Sequence, residues 1–244
     1  LYLPFTIPHD NGDASVGERQ EVPGHGIYAD REWPKERKGY AAMITRMDRD
    51  VGRIMELLKE LELEERTVVF FTSDNGPMPD RDFTRYFDSN GPFRGGKRYL
   101  YEGGIRVPLL ACWEGRIEPG STSDHLSTFW DFLPTACELA GVAVPEAVDG
   151  ISFLPALLQE DQPEHEKLYW EFLERGGARA IRMGDWKLVQ NRVISHPPGT
   201  LELYDLAGDP GETTNLAEEY PALVEELVQE MESSRTESEI FTLE

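Results

Sequence analysis

Three things are scarce in this sequence, and each scarcity excludes something. No apolar run approaches the ~20 residues that a helix needs to cross a bilayer. Positive charge is short, with 24 Lys and Arg against 46 Asp and Glu and a formal net charge of −22. A broad surface for nucleic acid or another polyanion needs clustered positive charge, so that class of partner is excluded. Cysteine is rare: only Cys112 and Cys137 occur, in the apolar stretches LLACW and PTACELAG. Buried thiols are expected rather than a disulfide, and two cysteines leave the compartment open. The opening LYLPFTIPHD has neither a basic n-region nor a small-residue cleavage site. It reads as an interior strand running into a loop, and a chain that begins in a buried strand is expected to be a piece of a longer protein.

What is present predicts a soluble globular chain. The hydrophobic fraction is 39% and the aromatic fraction 10%, enough apolar side chain to build a core. A length of 244 residues suits one large domain or a core with a small appendage. Much of the acid falls in 56–65 and 212–244, which read as solvated helix faces. No internal repeat or low-complexity tract is found.

Residues 10–34 are rich in Gly, Asp, Pro and Glu without periodicity and predict a long surface loop. Tyr40, Ile44, Met47, Val51, Ile54, Leu58 and Leu61 then step by four and three, which predicts an amphipathic helix. A coiled coil competes, but a buried strand follows almost at once. That strand, 67–72 (TVVFFT), is apolar on both faces, as a parallel strand covered by helices should be. A second buried strand is expected over 107–113, and a helix over 127–140 closed by Gly141. Strand, helix and strand in alternation predict an α/β layer fold. From about residue 163 the pattern changes to short strands at 168–172, 178–183, 186–190 and 201–204, then a helix at 221–231. The expected division is therefore 1–163, an α/β core, and 164–244, a small domain of antiparallel sheet plus helix.

Candidate chemistry lies at the end of the first core strand. Asp74 and Asn75 offer a carboxylate and an amide oxygen, hard ligands suited to Ca²⁺ or Mg²⁺. The Asp-Asn-Gly sequence is also ordinary turn chemistry, and both readings stand on these residues alone. Downstream, GPFRGGK (91–97) runs toward YEGGIRVP (101–108). Its glycines permit close backbone approach, and Lys97 stands where such a loop could present an ammonium to an anion. A Gly-rich surface loop with a solvated lysine is the plainer alternative. His9, after Pro8, is by itself most simply a polar loop residue.

The order of segments resembles the sulfatase family of the alkaline phosphatase superfamily, in its arylsulfatase and N-acetylgalactosamine-6-sulfatase-like branch. LYLPFTIPH, YAAMITRMDRDVGRIMELL, TVVFFTSDNGP, GPFRGGKRYLYEGGIRVPLLACWEGRIEPG and STFWDFLPTACELAG are similar to consecutive family segments. ARAIRMGDWKLV and LELYDLAGDPGETTNLA are similar to the family's small C-terminal domain. The resemblance implies part of an alkaline phosphatase-like sheet sandwiched by helices. It implies that Asp74 and Asn75 are two of the calcium ligands, that Lys97 contacts the sulfate group, and that His9 lies near the ester oxygen as a proton donor. Glu102 and Arg106 read as bracing residues. The family's nucleophile is a formylglycine made from Cys or Ser in a C/S-x-P-x-R motif, and that motif does not occur here; Cys112 has Glu114 where Pro is needed. The chain alone is therefore expected to be inactive and to bind Ca²⁺ weakly at most. Substrates implied are sulfated small molecules or carbohydrates. A phosphonate or phosphate monoester hydrolase of the same superfamily, and a non-catalytic sulfatase-like module, are the alternatives. Apolar surfaces left uncovered predict self-association. The sequence does not fix the compartment, although relatives are often exported.

Overall fold

The computed structural model describes residues 1–240 and 242. They form two compact units, residues 1–68 with 80–89, and residues 69–79 with the described residues from 90 onward.

In the first unit the opening residues correct an expectation. An interior strand is read from LYLPFT, yet these residues form none, and Leu1, Tyr2, Leu3 and Phe5 are exposed. A strand exists by pairing with a neighbour, and no described strand pairs with this stretch. Residues 10–34 form the expected loop, with one 3₁₀ turn at Gly26–Tyr28. Helix α1 (Lys35–Glu60) starts ahead of its apolar stripe, because the stripe marks a face and not a cap. Glu36 in its first turn and Lys59 in its last complement the helix dipole. Gly39, Ala42 and Met43 are its buried residues. Gly39 has to be small, since a Cβ there would lie 2.4 Å from the Gln20 carbonyl oxygen. Short helix α2 (Asp82–Tyr86) is fixed to α1 by a two-pronged ion pair, Arg37 to Asp82 at 2.7 and 3.0 Å, and by stacking of Tyr40 on Phe83 at 4.4 Å.

The second unit opens with β1 (Val69–Thr72), followed by helix α3 (Glu102–Ile105) and strand β2 (Leu109–Cys112). Residues 67–72, expected as a parallel strand covered on both faces, are not one. β1 pairs antiparallel with β2, Val69 opposite Cys112 and Thr72 opposite Leu109. A short apolar run reports burial tendency but carries nothing about a partner's direction. Leu109 and Leu110 remain 44% and 58% exposed. Cys112 is exposed as well, against expectation, whereas Cys137 is buried; both are free thiols.

Helices α4 (Phe132–Ala140) and α5 (Leu154–Leu157) come next. The buried Asp131 carboxylate orders the start of α4 by accepting the amides of Thr128 at 2.7 Å and Ile151 at 2.9 Å. Gly141, at φ 67°, ends α4 in the left-handed region, as its sequence position indicates. Four strands then form an antiparallel meander: β3 (Leu168–Phe172), β4 (Ala178–Met183), β5 (Trp186–Asn191) and β6 (Leu201–Asp205). Helix α6 (Pro221–Ser233) completes the unit.

Side chains of period two divide this sheet into two buried faces. Ile181, Leu188 and Leu203 pack with Leu227 and Met231 of α6. Ala178, Ala180, Val189 and Tyr204 pack on the other side with Leu100 and Tyr101. The second face matters most, because residues 99–105 lead straight into the candidate site. Leu188→Ala, at a fully buried position, is expected to cost about 2–5 kcal/mol. Ile27→Ala, at an exposed one, is expected to stay within about 0.5 kcal/mol. Urea unfolding midpoints check both, and equal midpoints would contradict the core assignment.

Candidate active-site segment

β1 delivers its chain into a turn, residues 73–77, that is closed by its own polar groups. The Ser73 hydroxyl donates to the Asn75 carbonyl at 3.1 Å. The Asn75 amide donates to Asp74 Oδ1 at 3.1 Å and to the Gly76 carbonyl at 3.3 Å. That orientation turns the Asn75 amide nitrogen toward Asp74.

Two later loops clasp this turn through backbone alone. The Gly76 N–H donates to the Gly104 carbonyl at 2.9 Å, and the Lys97 N–H donates to the Pro77 carbonyl at 2.9 Å. The approach is too close for a side chain. A Cβ on Gly76 would sit 1.8 Å from the Gly103 oxygen, and one on Gly96 would sit 2.4 Å from the Pro77 oxygen. Asp74, Asn75 and Lys97 are therefore brought into one backbone cluster by DNGP, GGK and EGG. Asp74 is exposed, and Asn75 and Lys97 are half-buried.

His9 belongs to the other unit. It is exposed, its N–H donates to the Thr6 carbonyl at 3.0 Å, and its Nδ1 lies 2.8 Å from the Asp10 carbonyl oxygen. Asp10 is itself held by Arg81 at 2.5 Å, with Arg19 at 3.9 Å.

The clasping loops rest on charged groups that sequence reasoning identified only in part. Glu102 is 4% exposed and its carboxylate lies 2.9 Å from Lys187 Nζ. Arg106 approaches the same carboxylate more loosely, at 3.7 Å. Lys187 also lies 2.9 Å from Glu212, whose other oxygen accepts the Glu102 N–H at 2.7 Å. Burial pushes the Glu212 carboxyl up from its ordinary value, against the opposing pull of Lys187. Lys187 and Glu212 carry no local sequence signal, since each looks like a surface residue until the fold buries it. Arg94 forms a second anchor. It donates to the Tyr204 hydroxyl at 2.6 Å and to the Glu202 carboxylate at 3.1 Å, and lies over the Tyr101 ring at 3.9 Å. Burial, then the hydrogen-bonded Glu202 carboxylate, pushes the Tyr101 phenol up to about 12, so it stays a neutral donor.

As metal donors, Asp74 and Asn75 are right in kind and short in number. Calcium takes six to eight oxygens. Among the described residues no three His, Cys, Asp or Glu side chains converge on a cation position. These residues do not by themselves make a calcium site.

A family model described as Sulfatase matches residues 8–142, and one described as N-sulphoglucosamine sulphohydrolase, C-terminal, matches residues 91–237. The dog (Canis lupus familiaris) N-acetylgalactosamine-6-sulfatase is 36% identical over 170 residues, covering 66% of this chain and 31% of that protein. Bovine (Bos taurus) arylsulfatase A is 32% identical over 233 residues, covering 86% and 43%. The crystal structure of Ps i-CgsB matches with TM-score 0.76 at 28% identity, covering 94% of this chain and 48% of that one. The chain thus spans less than half the length of each of these proteins.

Gly76→Ala is expected to destabilise the second unit by at least about 1–3 kcal/mol, because the added carbon overlaps a backbone oxygen that cannot swing aside. Gly24→Ala, with open space around its Cα, is expected to stay within about 0.5 kcal/mol. Chemical denaturation of the two variants checks the contrast, and a neutral Gly76→Ala would contradict the close approach.

Proposed function

The chain belongs to the sulfatase family, and from that premise we propose that its protein hydrolyses sulfuric esters with Asp74, Asn75 and Lys97 in its site; His9, which belongs to the other unit, is proposed on its own account as a proton donor. The observation that carries the reading is the backbone clasp that joins the Asp74–Asn75 turn to the Lys97 loop. The Lys97 ammonium binds sulfate oxygens and stabilises the charge that develops on them during transfer. His9 supplies a proton to the departing ester oxygen. Asp74 and Asn75 contribute two oxygens to a calcium site whose remaining ligands lie outside these residues. A calcium ion held there would supply charge neutralisation for the transferring sulfuryl group. The nucleophile is a formylglycine that these 244 residues do not contain, so the chain alone does not turn over. Its organisation is a core over 1–163 and a small C-terminal domain over 164–244.

The substrate is a sulfated carbohydrate or other sulfated small molecule. No helix among the described residues is long and apolar enough to cross a membrane. Leu109, Leu110, Phe129, Phe132 and Leu133 expose apolar surface, which supports self-association of the chain in solution.

The isolated chain is expected to bind Ca²⁺ no tighter than about millimolar, since it offers two of six to eight ligands. Isothermal titration checks this, and micromolar binding would overturn the partial-site reading. A longer protein carrying this chain and a formylglycine is expected to hydrolyse an aryl sulfate in preference to an aryl phosphate. Lys97→Ala in that protein is expected to lower kcat/KM by about 10²–10³-fold, the size of effect seen when a preorganised charge-stabilising donor is removed. Preference for the phosphate in a paired assay would favour the phosphomonoesterase alternative, and full activity of the Lys97→Ala variant would remove the lysine from the site.

A further inference from the structure

We propose that Lys187, on strand β5, is a positioning residue for the candidate site: through Glu102 it fixes the loop that clasps the Asp74–Asn75 turn and presents Lys97. The assignment rests on reading those loops as the sulfate-ester site, but its structural content is independent of the reaction. Lys187 is fully buried, an unusual condition for a lysine that is not paired. Its ammonium lies 2.9 Å from Glu102 Oε1 and 2.9 Å from Glu212 Oε1. Glu212 in turn takes the backbone N–H of Glu102 at 2.7 Å. Glu102 is thus gripped twice, by its carboxylate and by its amide, and both grips converge on one cation.

The route from there to the site is short. Glu102 begins α3, and the next two residues are Gly103 and Gly104. The Gly103 N–H donates to the Arg94 carbonyl at 2.8 Å, which ties α3 to the loop carrying Lys97. The Gly104 carbonyl accepts the Gly76 N–H, which ties α3 to the turn carrying Asp74 and Asn75. A displacement of Glu102 therefore moves both loops. The apolar contacts of β5 run separately: Leu188 and Val189 pack into the two faces of the sheet without using the ammonium. Other cations do not replace Lys187. Arg106 and Arg182 stand 3.7 and 3.9 Å from Glu102 Oε2, and neither is paired with Glu212.

Removing the ammonium leaves two buried carboxylates that share no cation, and they relax by moving apart or taking up a proton. The test is residue-resolved amide hydrogen exchange on the full chain, comparing Gly76 and Lys97 with the amides of the β4–β5 ladder. In Lys187→Met, exchange at Gly76 and Lys97 is expected to rise by about tenfold or more while the ladder keeps its protection. The double variant Lys187→Met/Glu212→Gln removes one charge of each sign, so it should fold even where the single variant does not. It is expected to show the same selective loss. Unchanged protection at Gly76 and Lys97 would overturn the proposal. So would acceleration of every amide by one common factor, or failure of the double variant to fold, either of which makes Lys187 a folding residue only. No outcome depends on turnover, so the sulfate-ester reading stands or falls separately.

Discussion

The backbone of Gly76 lies against that of Gly103 and Gly104 with no room for a side chain, and the candidate site depends on that contact. A Cβ at Gly104 would fall 2.0 Å from the Tyr99 carbonyl oxygen, just as one at Gly76 would meet Gly103. Peptide groups packed this closely must satisfy one another, because water cannot reach them. They do so through the amides of Gly76, Lys97 and Gly103. The side chains proposed to carry chemistry, Asp74, Asn75 and Lys97, then project from a frame that has little freedom to shift. Preorganisation of this kind is what an ester-cleaving site requires of the groups that meet developing charge.

The frame has a foundation in the antiparallel sheet. One face of β4–β6 is spent on α6, and the other receives Leu100 and Tyr101 from the loop between the site glycines. Arg94 and Glu102 add polar anchors on either side of those two residues, each reaching a partner more than eighty residues away in sequence. Burying charge in this way is a weak source of net stability, because desolvation offsets much of the Coulombic gain. Its effect is geometric. A buried charged group that must meet its fixed partners narrows the arrangements open to it, where apolar packing tolerates several.

Local patterns were legible in the sequence and pairings were not. α1, α6 and all four strands of the meander fall within a few residues of where periodicity and turn residues put them. Gly141 ends α4 as its position beside an apolar helix suggests. The errors concern partners. TVVFFT is equally consistent with a parallel or an antiparallel neighbour, and LYLPFT reads as a strand although no described strand pairs with it. Cys112 sits in an apolar run yet is exposed, as are Leu109 and Leu110 on the same strand. In the clasped cluster, Asp74, Asn75 and Lys97 stand out in the sequence because glycines flank them in a recognisable order. Lys187 and Glu212 were invisible for the opposite reason: their meaning comes from a contact with Glu102 across 85 and 110 positions. No local window holds that information.

The clasp itself can be observed directly. Scalar coupling through a hydrogen bond, between an amide nitrogen and the carbonyl carbon of its acceptor, appears in NMR spectra only when the bond is formed and persistent. Couplings linking the Gly76 amide to the Gly104 carbonyl, and the Lys97 amide to the Pro77 carbonyl, are the expected result. Their absence, in a chain whose β4–β5 ladder shows its own couplings, would mean that the turn and the lysine loop are not held together and that the site as described does not exist.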